Sequence, residues 1–105
     1  MLLGSLTPTL ILLMTLSEHQ FGPMYHGTRA DIKNGFIFPG QSGVAYATSD
    51  PEQARLYGET KFHDNENPVT VYRVSPVQPN EVQSRKGETE GETHYLTSQG
   101  FLIHK

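Results

Sequence analysis

Turn-forming residues divide this chain so finely that only short elements fit between them. Phe21-Gly22-Pro23, Gly27-Thr28, Asn34-Gly35, Pro39-Gly40, Gln41-Ser42-Gly43 and Ser98-Gln99-Gly100 all combine residue types that bend a backbone. With 10 Gly and 7 Pro in 105 residues, the chain favours short strands over long helices. A chain of this length forms one domain and buries only about two thirds of the surface its unfolded form exposes. Any active site is therefore a surface cleft over a small core.

The segments between the turns read as an α+β domain over residues 21–105, with short strands and one main helix. Met24-Tyr25-His26 is extended and ends at Gly27-Thr28, which puts His26 at a strand end. Residues 29–33 fit one helical turn closed by Asn34-Gly35. Residues 44–48 alternate, setting Val44, Tyr46 and Thr48 against Ala45 and Ala47. A helix over residues 51–59 has the clearest signal: Ser49 or Asp50 to cap it, Pro51 in its first turn, and Ala54, Leu56 and Tyr57 as an apolar side. Gly58 allows close packing or helps to end it. Residues 69–74 carry bulk on both faces, as in a central strand. Residues 75–92 are polar enough to read as a long functional loop. Residues 93–97 and 101–104 read as strands of a hairpin joined through Ser98-Gln99-Gly100.

Composition removes several function classes. A formal charge of −3 and eight scattered Lys and Arg residues leave no basic stripe for nucleic acid. The absence of cysteine removes disulfides, thiolate zinc sites and a thiol nucleophile. His63 and Asp64 have no third metal ligand placed by sequence and read as a solvated loop. Leu2 to Leu16 is apolar but broken by Gly4 and Pro8 and too short to span a bilayer. It lacks a basic start and a small-x-small cleavage site before Ser17, so residues 1–20 read as a poorly ordered leader, with a signal peptide or a later start at Met14 or Met24 as the alternatives. The expectation is a cytoplasmic monomer without membrane or nucleic-acid partners.

Chemistry is then left to His26-Gly27-Thr28, to Tyr46-Ala47-Thr48 and to the polar region around Glu81 and Gln83. Each is weak alone: a histidine beside Gly-Thr is most often a turn residue, and a strand tyrosine is most often core. Their collinear order is more informative. His26-Gly27-Thr28, Phe38-Pro39-Gly40, Tyr46-Ala47-Thr48, Ala54-Arg55-Leu56-Tyr57-Gly58, Val74-Ser75-Pro76 and His94-Tyr95-Leu96-Thr97 before Phe101-Leu102-Ile103 resemble the rifamycin ADP-ribosyltransferase family. The likeness extends from Tyr25 over roughly 80 residues, nearly the whole domain.

That resemblance implies a split fold of two small sheets, NAD as co-substrate and a His-Tyr-acidic triad. It implies that His26 bonds a ribose hydroxyl, that the Gly27 backbone anchors the nicotinamide carboxamide, and that Tyr46 stacks on the nicotinamide ring, with Thr28, Thr48 and Tyr57 also in the NAD site. These roles suit the groups: imidazole donates and accepts at a diol, glycine admits a close amide, and an aromatic face suits a cationic ring. The third triad position departs from the family pattern. Ungapped alignment lands on Gln83, and the nearest carboxylate is Glu81; Glu81 is favoured because a carboxylate stabilises positive charge and accepts a proton. The implied activity is transfer of ADP-ribose to a hydroxyl of a small molecule, a rifamycin-type antibiotic first. The alternatives are a protein-modifying toxin, an NAD glycohydrolase and a non-catalytic NAD-binding module. Arg29 and Arg55 are candidate pyrophosphate contacts or plain exposed charges.

Overall fold

A computed structural model of the chain describes residues 21–60 and 67–104, so the expectations for residues 1–20 and for His63 and Asp64 lie outside the described residues. Among the described residues the strands are β1 (Met24–Thr28), β2 (Phe36–Ile37), β3 (Ala45–Thr48), β4 (Thr70–Pro76), β5 (Gln83–Lys86), β6 (Thr93–Thr97) and β7 (Phe101–Ile103), with the helix α1 (Pro51–Thr60) and a 3-10 turn at Pro79–Glu81. They form one antiparallel sheet in the order β2-β7-β4-β1-β3-β6-β5. Among the described residues, no helix is long and apolar enough to cross a membrane.

The sheet is strongly curled, and chain connectivity requires it. β6 and β7 are consecutive in sequence yet four strand positions apart. In a flat sheet that separation is about 19 Å, whereas the four Cα steps from Thr97 to Phe101 reach at most about 14 Å. The expected β6–β7 hairpin is therefore replaced by a link across the curled sheet, between the strands next to its two edges. Gly100 makes that link, with φ +83, a conformation a side chain disfavours. Its position is also tight: a Cβ there would lie 2.6 Å from the Ile37 carbonyl oxygen.

The sheet has a weak seam. β1 and β4 pair through five residues, from Met24↔Val74 to Thr28↔Thr70, but β1 meets β3 only at Tyr25↔Thr48. Beyond that pair the two strands diverge and leave space between them. The core lies inside the curl, where Met24, Ile37, Ala45, Ala47, Val74, Tyr95 and Phe101 form one buried cluster. The alternation of β3 is as read: Ala45 and Ala47 are buried, and Tyr46 is only half-buried. β4 is central, between β7 and β1.

Helix α1 starts where its cap predicts. Asp50 Oδ1 accepts the amides of Glu52 at 2.9 Å and Gln53 at 3.4 Å. Ser49 is used differently, because its hydroxyl accepts the Thr93 amide at 2.9 Å and holds the end of β3 against β6. The buried residues of α1 are Ala54 and Gly58. Leu56, expected on the apolar side, is 39% exposed. Small residues mediate the packing here: a Cβ on Gly27 would lie 1.9 Å from the Ala54 carbonyl oxygen, and one on Gly58 would lie 2.9 Å from the Gly27 carbonyl carbon. The helix backbone thus rests directly on β1. Leu56→Ala is expected to cost less than about 1 kcal/mol in denaturant unfolding, because little apolar surface is lost.

Two more segments differ from expectation. Residues 29–33 form no helical turn; the Thr28 hydroxyl accepts the Ala30 amide at 3.0 Å and bends the chain instead. Residues 75–92 are not a loop throughout. β4 runs on through buried Ser75 and Pro76, and β5 pairs with β6 as an edge strand. All four residues of β5 are exposed, so it carries no apolar alternation for sequence reading to detect.

Candidate functional site

The divergence of β1 from β3 opens a cleft of about 350 Å³. Its lining includes His26 and Gly27 from β1, Tyr46 and Thr48 from β3, and Tyr57 from α1. These are five of the residues singled out from sequence, and the fold brings them to one place. Thr28 is buried and faces a neighbouring cleft instead. Where the strands part, His26 Nδ1 lies 2.7 Å from the Tyr46 carbonyl oxygen. An imidazole nitrogen facing a carbonyl oxygen at that distance carries the proton, so Nδ1 donates and the ring is held across the gap.

Neither residue considered for the acidic position lines the cleft. Glu81 lies on the exposed 3-10 turn, and Gln83 is exposed at the start of β5. Gln83 does share a cross-strand row with Tyr46, through Leu96, which puts both on one face of the sheet. The carboxylates at the cleft are Glu88 on its rim and Glu92 beneath it.

Glu92 is 4% exposed and organises the cleft floor. Its Oε2 accepts the Thr48 hydroxyl at 2.5 Å and the Tyr57 hydroxyl at 2.9 Å, and it lies 3.0 Å from His94 Nε2. Its Oε1 accepts the amides of Glu88 at 3.0 Å and Thr89 at 3.2 Å. Burial alone would raise its pKa, but the bonds from Thr48, Thr89 and Tyr57 and the neighbouring His94 outweigh burial and hold it at about 2. Desolvation, then the Glu92 bond and charge, push the Tyr57 phenol well above its ordinary range.

Proton accounting follows from the ionised carboxylate. Tyr57 has one hydroxyl proton and gives it to Glu92, so the 2.9 Å contact between Tyr57 Oη and His94 Nε2 is donated by the histidine. The rings of Tyr57 and His94 also meet edge to face, with centroids 5.3 Å apart. One buried anion thereby fixes three side chains of the cleft, Thr48, Tyr57 and His94.

Sequence reasoning passed over Glu92, His94 and Arg85. Glu92 falls inside a polar stretch, and only the fold reveals its burial. His94 entered the sequence reading as part of the His94-Tyr95-Leu96-Thr97 motif, not as a site residue; in the fold it stands opposite Thr48 and lines the cleft. Arg85 is a cation on the cleft wall and forms no ion pair among the described residues. Arg29 and Arg55 are engaged elsewhere. Arg29 donates to the Asn67 carbonyl, and Arg55 pairs with Glu52 and Glu59 along the exposed side of α1. Among the described residues, no group of three His, Asp or Glu side chains is arranged to hold a metal ion. Comparison with protein-family models, with curated proteins and with solved structures finds no match to this chain.

Proposed function

We propose that this protein binds NAD in the β1–β3 cleft and transfers its ADP-ribose to a hydroxyl of a small-molecule acceptor, with rifamycin-type antibiotics as the leading class. The observation that carries this reading is the convergence of His26, Gly27, Tyr46, Thr48 and Tyr57 on one cleft, although they come from three separate elements. With Nδ1 donating to the Tyr46 carbonyl, the remaining nitrogen of His26 meets a ribose hydroxyl. Tyr46 offers an aromatic face to the nicotinamide cation, and Arg85 offers a guanidinium to the pyrophosphate. As the bond from C1′ to nicotinamide breaks, its electron pair leaves with nicotinamide and positive charge develops on the ribose. The Glu88 carboxylate and the polar cleft wall stabilise that charge. The acceptor oxygen then bonds C1′ and loses its proton.

Nicotinamide release from NAD, followed by chromatography with and without rifampicin, tests the reading. Release that requires both rifampicin and His26, compared with His26→Ala, is the expected result. Arg85→Ala is expected to raise the KM for NAD about threefold to tenfold with little change in kcat, as loss of one charge-assisted contact at an exposed position would. Release without the drug points to hydrolysis or a protein acceptor. A second reading, a non-catalytic NAD-binding module, draws support from the distance of Glu81 and Gln83 from the cleft; NAD binding without any release would favour it.

A further inference from the structure

A second cleft, of about 680 Å³, lies on the other side of the His26–Tyr46 link, and those two residues line both clefts. It is bounded by the segment that leaves β1 and by the turn before β3, and Ile32, Phe36, Phe38 and Val44 supply apolar wall. Phe36 and Phe38 are stacked, with centroids 5.7 Å apart and planes 28° from parallel. They remain 38% and 65% exposed, an unusual position for two adjacent phenyl rings. The charged side chains at the rim, Asp31 and Lys33, pair with each other at 3.5 Å, so the cleft offers no net charge to a ligand. Its volume is that of a small-molecule site.

We infer that this second cleft binds a neutral, planar aromatic molecule bearing a hydroxyl, held by stacking on Phe36 and Phe38 with its hydroxyl directed at the His26–Tyr46 link. The neutral, planar aromatic class follows from the exposed stacked rings, the paired charges and the volume, and the hydroxyl from the reaction of the NAD reading above. Its role as the transfer acceptor rests on the NAD reading above. In that role its hydroxyl oxygen bonds C1′ while the C1′–N bond breaks with its electron pair on nicotinamide, and the hydroxyl proton passes to water.

The probe is 2-naphthol, titrated by NMR into the full chain without NAD. The expected result is saturable binding, with intermolecular contacts from the naphthol ring to Phe38 and from its hydroxyl edge to the His26 ring. Phe38→Ala is expected to weaken binding roughly fivefold or more, and Phe38→Trp, which keeps an aromatic face, to retain it. Absent binding, binding that ignores Phe38→Ala, or a wild-type dimer that Phe38→Ala dissociates in sedimentation would overturn the inference; the last would assign the phenyl pair to a second copy of the chain. If 2-naphthol binds as expected while NAD neither binds nor releases nicotinamide, the ligand class stands and the donor reading fails.

Discussion

Gly27→Ala is expected to unfold or gravely weaken the domain, with a loss of at least about 3 kcal/mol in denaturant unfolding. The added methyl would lie 1.9 Å from the Ala54 carbonyl oxygen and 2.6 Å from its carbonyl carbon, both backbone atoms of α1. No side-chain rotation relieves such an overlap, so α1 must move away from β1. That movement would also displace Tyr57, which projects from α1 onto Glu92, and so would open the cleft from below. Gly27 is thus required for packing whether or not its backbone also contacts a ligand. Gly58→Ala is expected to be destabilising by a smaller amount, because its overlaps are milder: 2.7 Å to a Val69 side-chain methyl and 2.9 Å to the Gly27 carbonyl carbon. Equal melting temperatures for wild type and Gly27→Ala would contradict the helix-on-strand contact.

Glu92→Ala is expected to cost about 3–5 kcal/mol, because it leaves the Thr48 hydroxyl, the Tyr57 hydroxyl and two backbone amides without their acceptor. For a domain of this size that amounts to a fall in Tm of roughly 12 °C or more. Glu92 also gives the protein an acid limit. Its pKa is about 2 in the fold against an ordinary 4.5, so its stabilisation is complete above pH 4.5 and is lost as pH falls from there toward 2. Glu92→Gln keeps the shape but cannot titrate, and unfolding free energies measured across that interval are expected to lose most of their slope. An unchanged slope would mean that other carboxylates set the acid limit.

The helix and the two clearest strands were legible because local chemistry decides them. The Asp50 cap, Pro51 and the alternation of Ala45, Tyr46 and Ala47 act over a few residues and survive in the fold. β5 was not legible, because Gln83–Lys86 are held by backbone pairing alone and all point to solvent. The Thr97 to Phe101 link misled for a related reason: Ser98-Gln99-Gly100 has hairpin chemistry, and only the core's demand for a curled sheet sends the two strands toward opposite edges. Within the candidate site, His26 and Tyr46 were found through motifs near strand ends. Glu92 was missed because its burial depends on Thr48 and Tyr57 arriving from 44 and 35 residues away.

The strand order also bears on how the chain is made. Among the described residues, β2 pairs with β7 alone, and β7 is the last of the described strands. During synthesis on the ribosome, Phe36 and Ile37 therefore emerge long before the segment that covers them, and that edge cannot close until β7 has left the exit tunnel. Until then Ile37, 5% exposed in the finished fold, stays open to solvent. Until β7 emerges the nascent chain is a sticky intermediate, and a truncation ahead of Phe101 would leave it there.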